Sequence, residues 1–273
     1  MNTIPLSSDG KTPMEVVRPL VLDAGQILLD WFDKDLKIER KGRADIVTNV
    51  DYEVEEFLLS RLRHAYPDFG ILAEESGAGG ESNAEYTWIV DPLDGTRNFS
   101  IGVPLFAVTL ALARGDEVVL GVTYDPNRRE LFTAERGSGA FLNDEPIRVS
   151  HGLDFDAAVI GTDMGYSDAM ATYALQLLDR LWPGMQAIRI MGSAALGLAY
   201  AASGRLDLYF HHHLSPWDIA AGIVLAHEAG GVVTDRNGGP ITPSSPNILL
   251  SNAALQAEFL RRTEGLPWRN ATE

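Results

Sequence analysis

The chain has 273 residues, 45% of them hydrophobic, and a mean hydropathy of −0.04, the balance of a soluble globular protein with a substantial core in one large domain or two intimate lobes. There is no cysteine, which excludes disulfides, thiolate metal sites and cysteine catalysis, and no apolar run reaches the roughly 18 residues that a membrane helix needs. The 22 basic and 38 acidic residues leave a net charge of −16, which repels nucleic acid and also phosphorylated metabolites unless a cation, most simply a bound metal, sits in the site.

The opening "MNTIPLSSDGK" has no apolar stretch behind a basic start, so no signal peptide is expected and the compartment is read as cytoplasmic. "TPME" then reads as a helix entry, with Thr12 as cap, Pro13 at the first helical position and Glu15 closing a capping box. Val17, Leu20, Val21, Ala24, Leu28 and Trp31 recur at helical spacing, and Pro19 among them predicts a kink or a later start. A second amphipathic helix is predicted over Asn49 to Ala65. "FGILAEES" and "YTWIVDP" read as short buried strands ending in acids, and residues 105–150 as an antiparallel meander turned by Arg114-Gly115-Asp116 and Asp125-Pro126-Asn127.

From His151 the pattern becomes strand–helix alternation. It runs through "AAVIGTD", a helix near Asp168–Leu181, "MQAIRI", a helix opening at "GSAALGLAYAASG", "LDLYF", a helix from Pro216 to Ala229, "GVVTD", "NILLS" and a last helix from Ala253. No repeat, low-complexity segment or linker interrupts it. Two lobes are expected, 1–150 with the antiparallel sheet and most acidic ligands, and 151–273 as an α/β lobe.

Asp91 and Asp94 straddle Pro92-Leu93 at a strand end, followed by Gly95-Thr96. Such a turn can aim both carboxylates and the Leu93 carbonyl at one point, and an all-oxygen set favours a hard cation such as Mg²⁺. The Gly95 and Thr96 amides would face a phosphate there. Asp-Pro and Asp-Gly are also common turn dipeptides, so the same residues can be read as turn formers. Glu74 would lie beside Asp91 if the two strands finish together, whereas Glu75 and Asp45 read as solvated loop charges, and Lys41 lies on the same loop as Asp45. Asp218, in "SPWDIAAG", can close a capping box with Ser215, yet it heads an almost wholly apolar helix, where a buried carboxylate needs a partner. Asp51 can likewise cap with Thr48, or accept a proton from Thr96. Two of the three histidines His211-His212-His213 could share a strand face and bind zinc, but no cysteine or third spaced histidine supports it.

"DPLDGTRNF", with "ILAEES" before it and "PWDIAAG" after it, resembles the inositol monophosphatase family of Mg²⁺-dependent, lithium-sensitive phosphatases. "KGRADIVTNVD" matches that family's mobile loop and helix start, and the resemblance spans about Met14 to Leu260. It implies a layered α/β/α/β/α sandwich shared with the fructose-1,6-bisphosphatases, usually a homodimer, with two to three Mg²⁺ ions per subunit. Glu74, Asp91 and the Leu93 carbonyl would hold the first ion, and Asp91, Asp94 and Asp218 the second. Glu74 with water would hold a weaker third, which places Glu74 among the catalytic groups. Thr96 with Asp51 would activate the attacking water. Gly95 and Thr96 would bind the phosphate, while Gly192, Ser193, Ala194, His211 and Asp218 would border the rest of the substrate.

One departure stands out. The family usually has an acidic residue six places before the tryptophan of the last motif, and here that residue is His211. The expected substrate is a small polyol or sugar phosphate, inositol 1-phosphate first. Fructose 1,6-bisphosphate, histidinol phosphate and 3′-phosphoadenosine nucleotides are the alternatives, and a non-catalytic metal-binding regulator is the contrasting class.

Overall fold

The computed structural model describes residues 4–42, 45–79 and 84–271; of the loop motif matched above, Arg43 and Ala44 lie outside the described residues. Two helices, Pro13–Trp31 and Asn49–Ala65, cover one face of an eight-stranded sheet. Thr12 with Glu15 and Thr48 with Asp51 form capping boxes that satisfy the first free amides of each helix. The first helix begins at Pro13 and is unbroken at Pro19, so the chain makes no later start.

The large sheet is ordered Glu145–Pro146, Gly139–Leu142, Glu130–Glu135, Glu117–Asp125, Ala107–Arg114, Tyr86–Asp94, Gly70–Ala73 and Gly77–Gly79. Its other face packs on two central helices, Ala194–Ala202 and Pro216–Glu228, which are buried along almost their whole lengths. Beyond them lies a five-stranded sheet, ordered Ala187–Ile190, Val159–Thr162, Leu208–His211, Ile248–Ser251 and Val232–Thr234. Helices Asp168–Leu181, Ala253–Arg262 and Pro267–Asn270 close the far side. The result is the expected α/β/α/β/α sandwich.

Strand periodicity explains the layering. Trp88 and Val90 point to the outer helices, while Ile89 between them points to the central pair. In the small sheet Leu208 and Phe210 face outward and Tyr209 inward. Both central helices must be apolar all round because a sheet covers each side of them, which is the pattern that "AALGLAYAA" and "PWDIAAGIVLAHE" show.

Two features of the large sheet position the site. Gly70–Ala73 runs parallel to Tyr86–Asp94, with Ala73 opposite Val90, so the two strands deliver Glu74 and Asp91 to the same end. Pairing of Tyr86–Asp94 with its antiparallel neighbour slips between Asp91 and Asp94. This irregularity lets the strand carry Pro92 and continue to Asp94, rather than stopping at Pro92.

Candidate active site

Asp91, Asp94 and Asp218 converge from a strand end, its bulge and a helix entry, and one oxygen of each lies within 4.8 Å of the others. Asp91 is 1% exposed and stands beside the Glu74 carboxyl. Burial first, and then the neighbouring acids, push the carboxyl pKa values of Asp91 and Glu74 well above the usual range. Asp94 and Asp218 are raised as well, first by burial, although hydrogen bonds from Ser193 and from the Ser215 backbone act in the opposite direction. A buried set of mutually repelling oxygen donors fits a small hard divalent cation such as Mg²⁺.

Asp91 and Asp218 are each aimed by a hydrogen bond to one oxygen, whereas both oxygens of Asp94 accept hydrogen bonds. Asp94 accepts from the Ser193 hydroxyl and from the Ala194 and Ala195 amides at 3.1 and 3.2 Å, so the central helix's N-terminus steadies its charge. Asp218 accepts the Ser215 amide through Oδ2 at 2.6 Å and Asp91 accepts that of Leu93 through Oδ1 at 2.9 Å. The two readings of Asp218 are therefore compatible: it closes the capping box and also stands in the acid cluster.

Asp51 also serves twice. Oδ2 accepts the Thr48 amide and hydroxyl, while Oδ1 lies 3.0 Å from the Thr96 hydroxyl. That hydroxyl is also 2.9 Å from the Leu93 carbonyl, so its single proton is shared between two buried acceptors. Gly95 makes the geometry possible. Its φ is +92°, and a Cβ there would sit 3.0 Å from the Leu105 carbonyl and 3.2 Å from that of Gly192.

A cavity of about 430 Å³ opens over these groups, and Gly95, Thr96, Gly192, Ser193, Ala194, His211 and Asp218 all line it. Glu74 stands beside Asp91 rather than on the cavity wall, as the strand ends require. Glu75 is not a solvated loop charge: its side chain is 2% exposed and pairs with Lys41 at 2.6 Å, and Lys41 also lies 3.6 Å from Glu74. The His211 ring nitrogen Nδ1 is already engaged by the His213 amide, at 3.1 Å.

Three residues that the sequence did not flag support the site. Glu55, 4% exposed, accepts the Glu75 and Ser76 amides at 2.8 and 2.9 Å and so holds the turn that carries Glu74. Asn98 bridges the two glycine turns, donating to the Leu105, Met191 and Gly192 carbonyls. Asp163 accepts the Gly192 amide and, at 2.7 Å, the Tyr209 hydroxyl. Asp163 was legible only as a strand-end acid, and Glu55 only as a polar residue on an amphipathic helix. Their value depends on partners distant in sequence.

A five-layer sandwich with a buried oxygen-donor cluster under a small cavity defines a class of hydrolytic, cation-assisted enzymes. The chain belongs to the inositol monophosphatase family, whose profile matches residues 12–266, and it is a phosphatase. It is 39% identical over 250 residues to an inositol-1-monophosphatase of Mesorhizobium japonicum, covering 91% of each chain. It is 38% identical over 244 residues to a protein of Pasteurella multocida named Nus factor SuhB, covering 88% of this chain and 91% of that one. Among solved structures, the Thermotoga maritima IMPase superposes with a TM-score of 0.85 at 36% identity, over 93% of this chain and 97% of its own.

Proposed function

We propose that the chain is a Mg²⁺-dependent phosphomonoesterase for small polyol and sugar phosphates, with inositol 1-phosphate among its substrates. The observation that carries this is the convergence of Asp91, Asp94 and Asp218 within 4.8 Å beside the Thr96–Asp51 pair. Glu74, Asp91, the Leu93 carbonyl, Asp94 and Asp218 would hold two ions, and Glu74 with water a weaker third. Mg²⁺, when bound, supplies charge stabilisation to the attacking and leaving oxygens.

The chain's own groups do the rest. Thr96 Oγ1 accepts a hydrogen bond from the attacking water while passing its own proton toward Asp51 Oδ1, which orients a water lone pair at phosphorus. The Gly95 and Thr96 amides hold the phosphate oxygens. Gly192, Ser193 and Ala194 border the alcohol portion, and the walls of the cavity limit it to a small molecule. The resemblance further supports a lithium-sensitive cytoplasmic homodimer whose 1–150 and 151–273 lobes share the site. Among the described residues no helix is long and apolar enough to cross a membrane. A net charge of −16 weighs against direct contact with nucleic acid.

The test is hydrolysis of β-glycerol phosphate with and without Mg²⁺, followed by a panel of inositol 1-phosphate, fructose 1,6-bisphosphate, histidinol phosphate and a 3′-phosphoadenosine nucleotide. The expected outcome is strict Mg²⁺ dependence and cleavage of inositol 1-phosphate without a strong advantage over the other esters. Equal rates in Mg²⁺ and in chelator would sink the reading.

A further inference from the structure

One buried acid beside the cluster has no part in the chemistry described so far. Asp163 follows the strand Val159–Thr162 and is 6% exposed, yet it does not join the trio of Asp91, Asp94 and Asp218. Its two oxygens are turned to protein donors instead. Oδ1 accepts the Gly192 amide and Oδ2 the Tyr209 hydroxyl at 2.7 Å. Tyr209 is fully buried, and burial, then the Asp163 carboxylate, pushes its phenol pKa well above the ordinary value, so it stays a donor.

The fold makes room for this pair at two glycines. Tyr209 lies opposite Gly161 in the small sheet, and a Cβ on Gly161 would come within 3.0 Å of Tyr209 Cδ2. Gly197, on the central helix Ala194–Ala202, meets the same ring, and a Cβ there would overlap it. The Tyr209 side chain thus rests on the body of that helix while its hydroxyl fixes Asp163, which in turn holds the amide of Gly192 just before the helix begins. The Gly192 carbonyl is tied separately, by Asn98 Nδ2 at 3.1 Å. Next in the chain come the Ser193 hydroxyl and the Ala194 and Ala195 amides, all three of which donate to Asp94.

We infer that Asp163 and Tyr209 are positioning residues for cation binding: through Gly192 they set where the central helix begins, and so hold the three donors that aim Asp94. Without the Asp163 oxygen the Gly192 amide loses its acceptor, the turn is free to shift, and Asp94 loses its fixed orientation. This inference rests on the reading of Asp94 as a Mg²⁺ ligand and adds the residues that prepare it.

The experiment is calorimetric titration of the full chain with Mg²⁺ alone, for the wild type, Asp163→Ala, Asp163→Asn, Tyr209→Phe and the Asp163→Ala/Tyr209→Phe double variant. Asp163→Ala should weaken Mg²⁺ binding about 10–100-fold, the usual cost of disturbing the groups that orient a ligand, with kcat recovering at saturating Mg²⁺. Asp163→Asn still offers the Gly192 amide an oxygen and should restore most of the affinity. Tyr209→Phe should weaken binding by about three- to tenfold, the scale of one hydrogen bond, and should have no further effect once Asp163 is alanine. Wild-type affinity in Asp163→Ala, an Asp163→Asn variant as weak as Asp163→Ala, or additive losses in the double variant would each overturn the inference. If Asp163→Ala does not fold, Tyr209→Phe decides: wild-type affinity there overturns it. A wild type that takes up no Mg²⁺ removes the cation reading itself, and the inference with it.

Discussion

The two ends of the cavity are built on opposite electrostatic plans. At one end Glu74, Asp91, Asp94 and Asp218 are brought together from separate elements; burial raises all four pKa values, and repulsion within the cluster adds to it at Glu74, Asp91 and Asp94. At the other end His211 and His212 are buried neutral, with burial the main cause holding both pKa values below the ordinary imidazole range. The acids are strained until a cation arrives, whereas the stacked histidines are stable as they stand. The first end is therefore suited to chemistry that needs an added charge, and the second to selecting shape and hydrogen-bond direction.

The contrast is broken most severely at its charged end. Asp91→Asn should reduce turnover by at least about 10³-fold, because the carboxylate most deeply buried in the cluster is lost. The same variant should match or exceed the wild type in metal-free thermal stability, because a repelling charge is gone. A scan in chelator beside a rate assay in Mg²⁺ reads both, and near-normal turnover would refute the ligand assignment.

Thr96→Ala separates proton handling from cation binding. Its kcat should fall by about 10²–10⁴-fold, the scale of positioned proton transfer, with the Mg²⁺ midpoint little changed. If excess Mg²⁺ restores the rate, Thr96 supports the cation site rather than the attacking water.

Glu55→Gln tests how far the acid end depends on its support. One amide of the Glu75–Ser76 turn loses its charged acceptor, and Glu74 should bind less tightly in consequence. An apparent Mg²⁺ affinity about 10–100-fold weaker is expected, the usual cost of disturbing the groups that orient a metal ligand. The readout is the Mg²⁺ concentration that half-saturates the thermal shift, with kcat at saturating Mg²⁺ close to wild type.

The smallest effect is the dependence of metal-free stability on pH. Folding raises Asp94 and Asp218 to about 7 and Glu74 to about 8. The unfolded chain titrates these groups near about 4, so the folded state binds more protons between those limits. Their contribution is fully present below the unfolded values and is lost as pH rises through 7 to 8. Tm in chelator should therefore fall by a few degrees from pH 5 to pH 8, and Mg²⁺ should flatten the slope. A metal-free Tm that rises over this range would contradict the buried acid cluster.

Much of the fold was legible because its signals are local. Thr12-Pro13 and Ser215-Pro216 announce helix entries through capping chemistry, and strand periodicity marks Tyr86–Asp94 with one residue for each layer. The short pairing of Ile38–Arg40 with Ile46–Thr48 and the strand Gly77–Gly79 escaped notice, since three-residue strands of mixed polarity carry no readable period. Glu75 was misjudged for a related reason: two adjacent glutamates look alike in sequence, and only the fold buries one against Lys41.

By itself the sequence determined the elements, the acids that end them and the hydroxyl that follows Gly95, because caps, turn residues and hydrophobic periods act between near neighbours. Only the tertiary structure decided which oxygens converge and which residues aim them. It also decided that His211 would be buried, with its Nδ1 accepting the His213 backbone N–H. Those outcomes rest on pairs such as Asp51 with Thr96 and Asp94 with Ser193, which lie far apart along the chain. No local pattern specifies such a pair; packing two sheets around two apolar helices does.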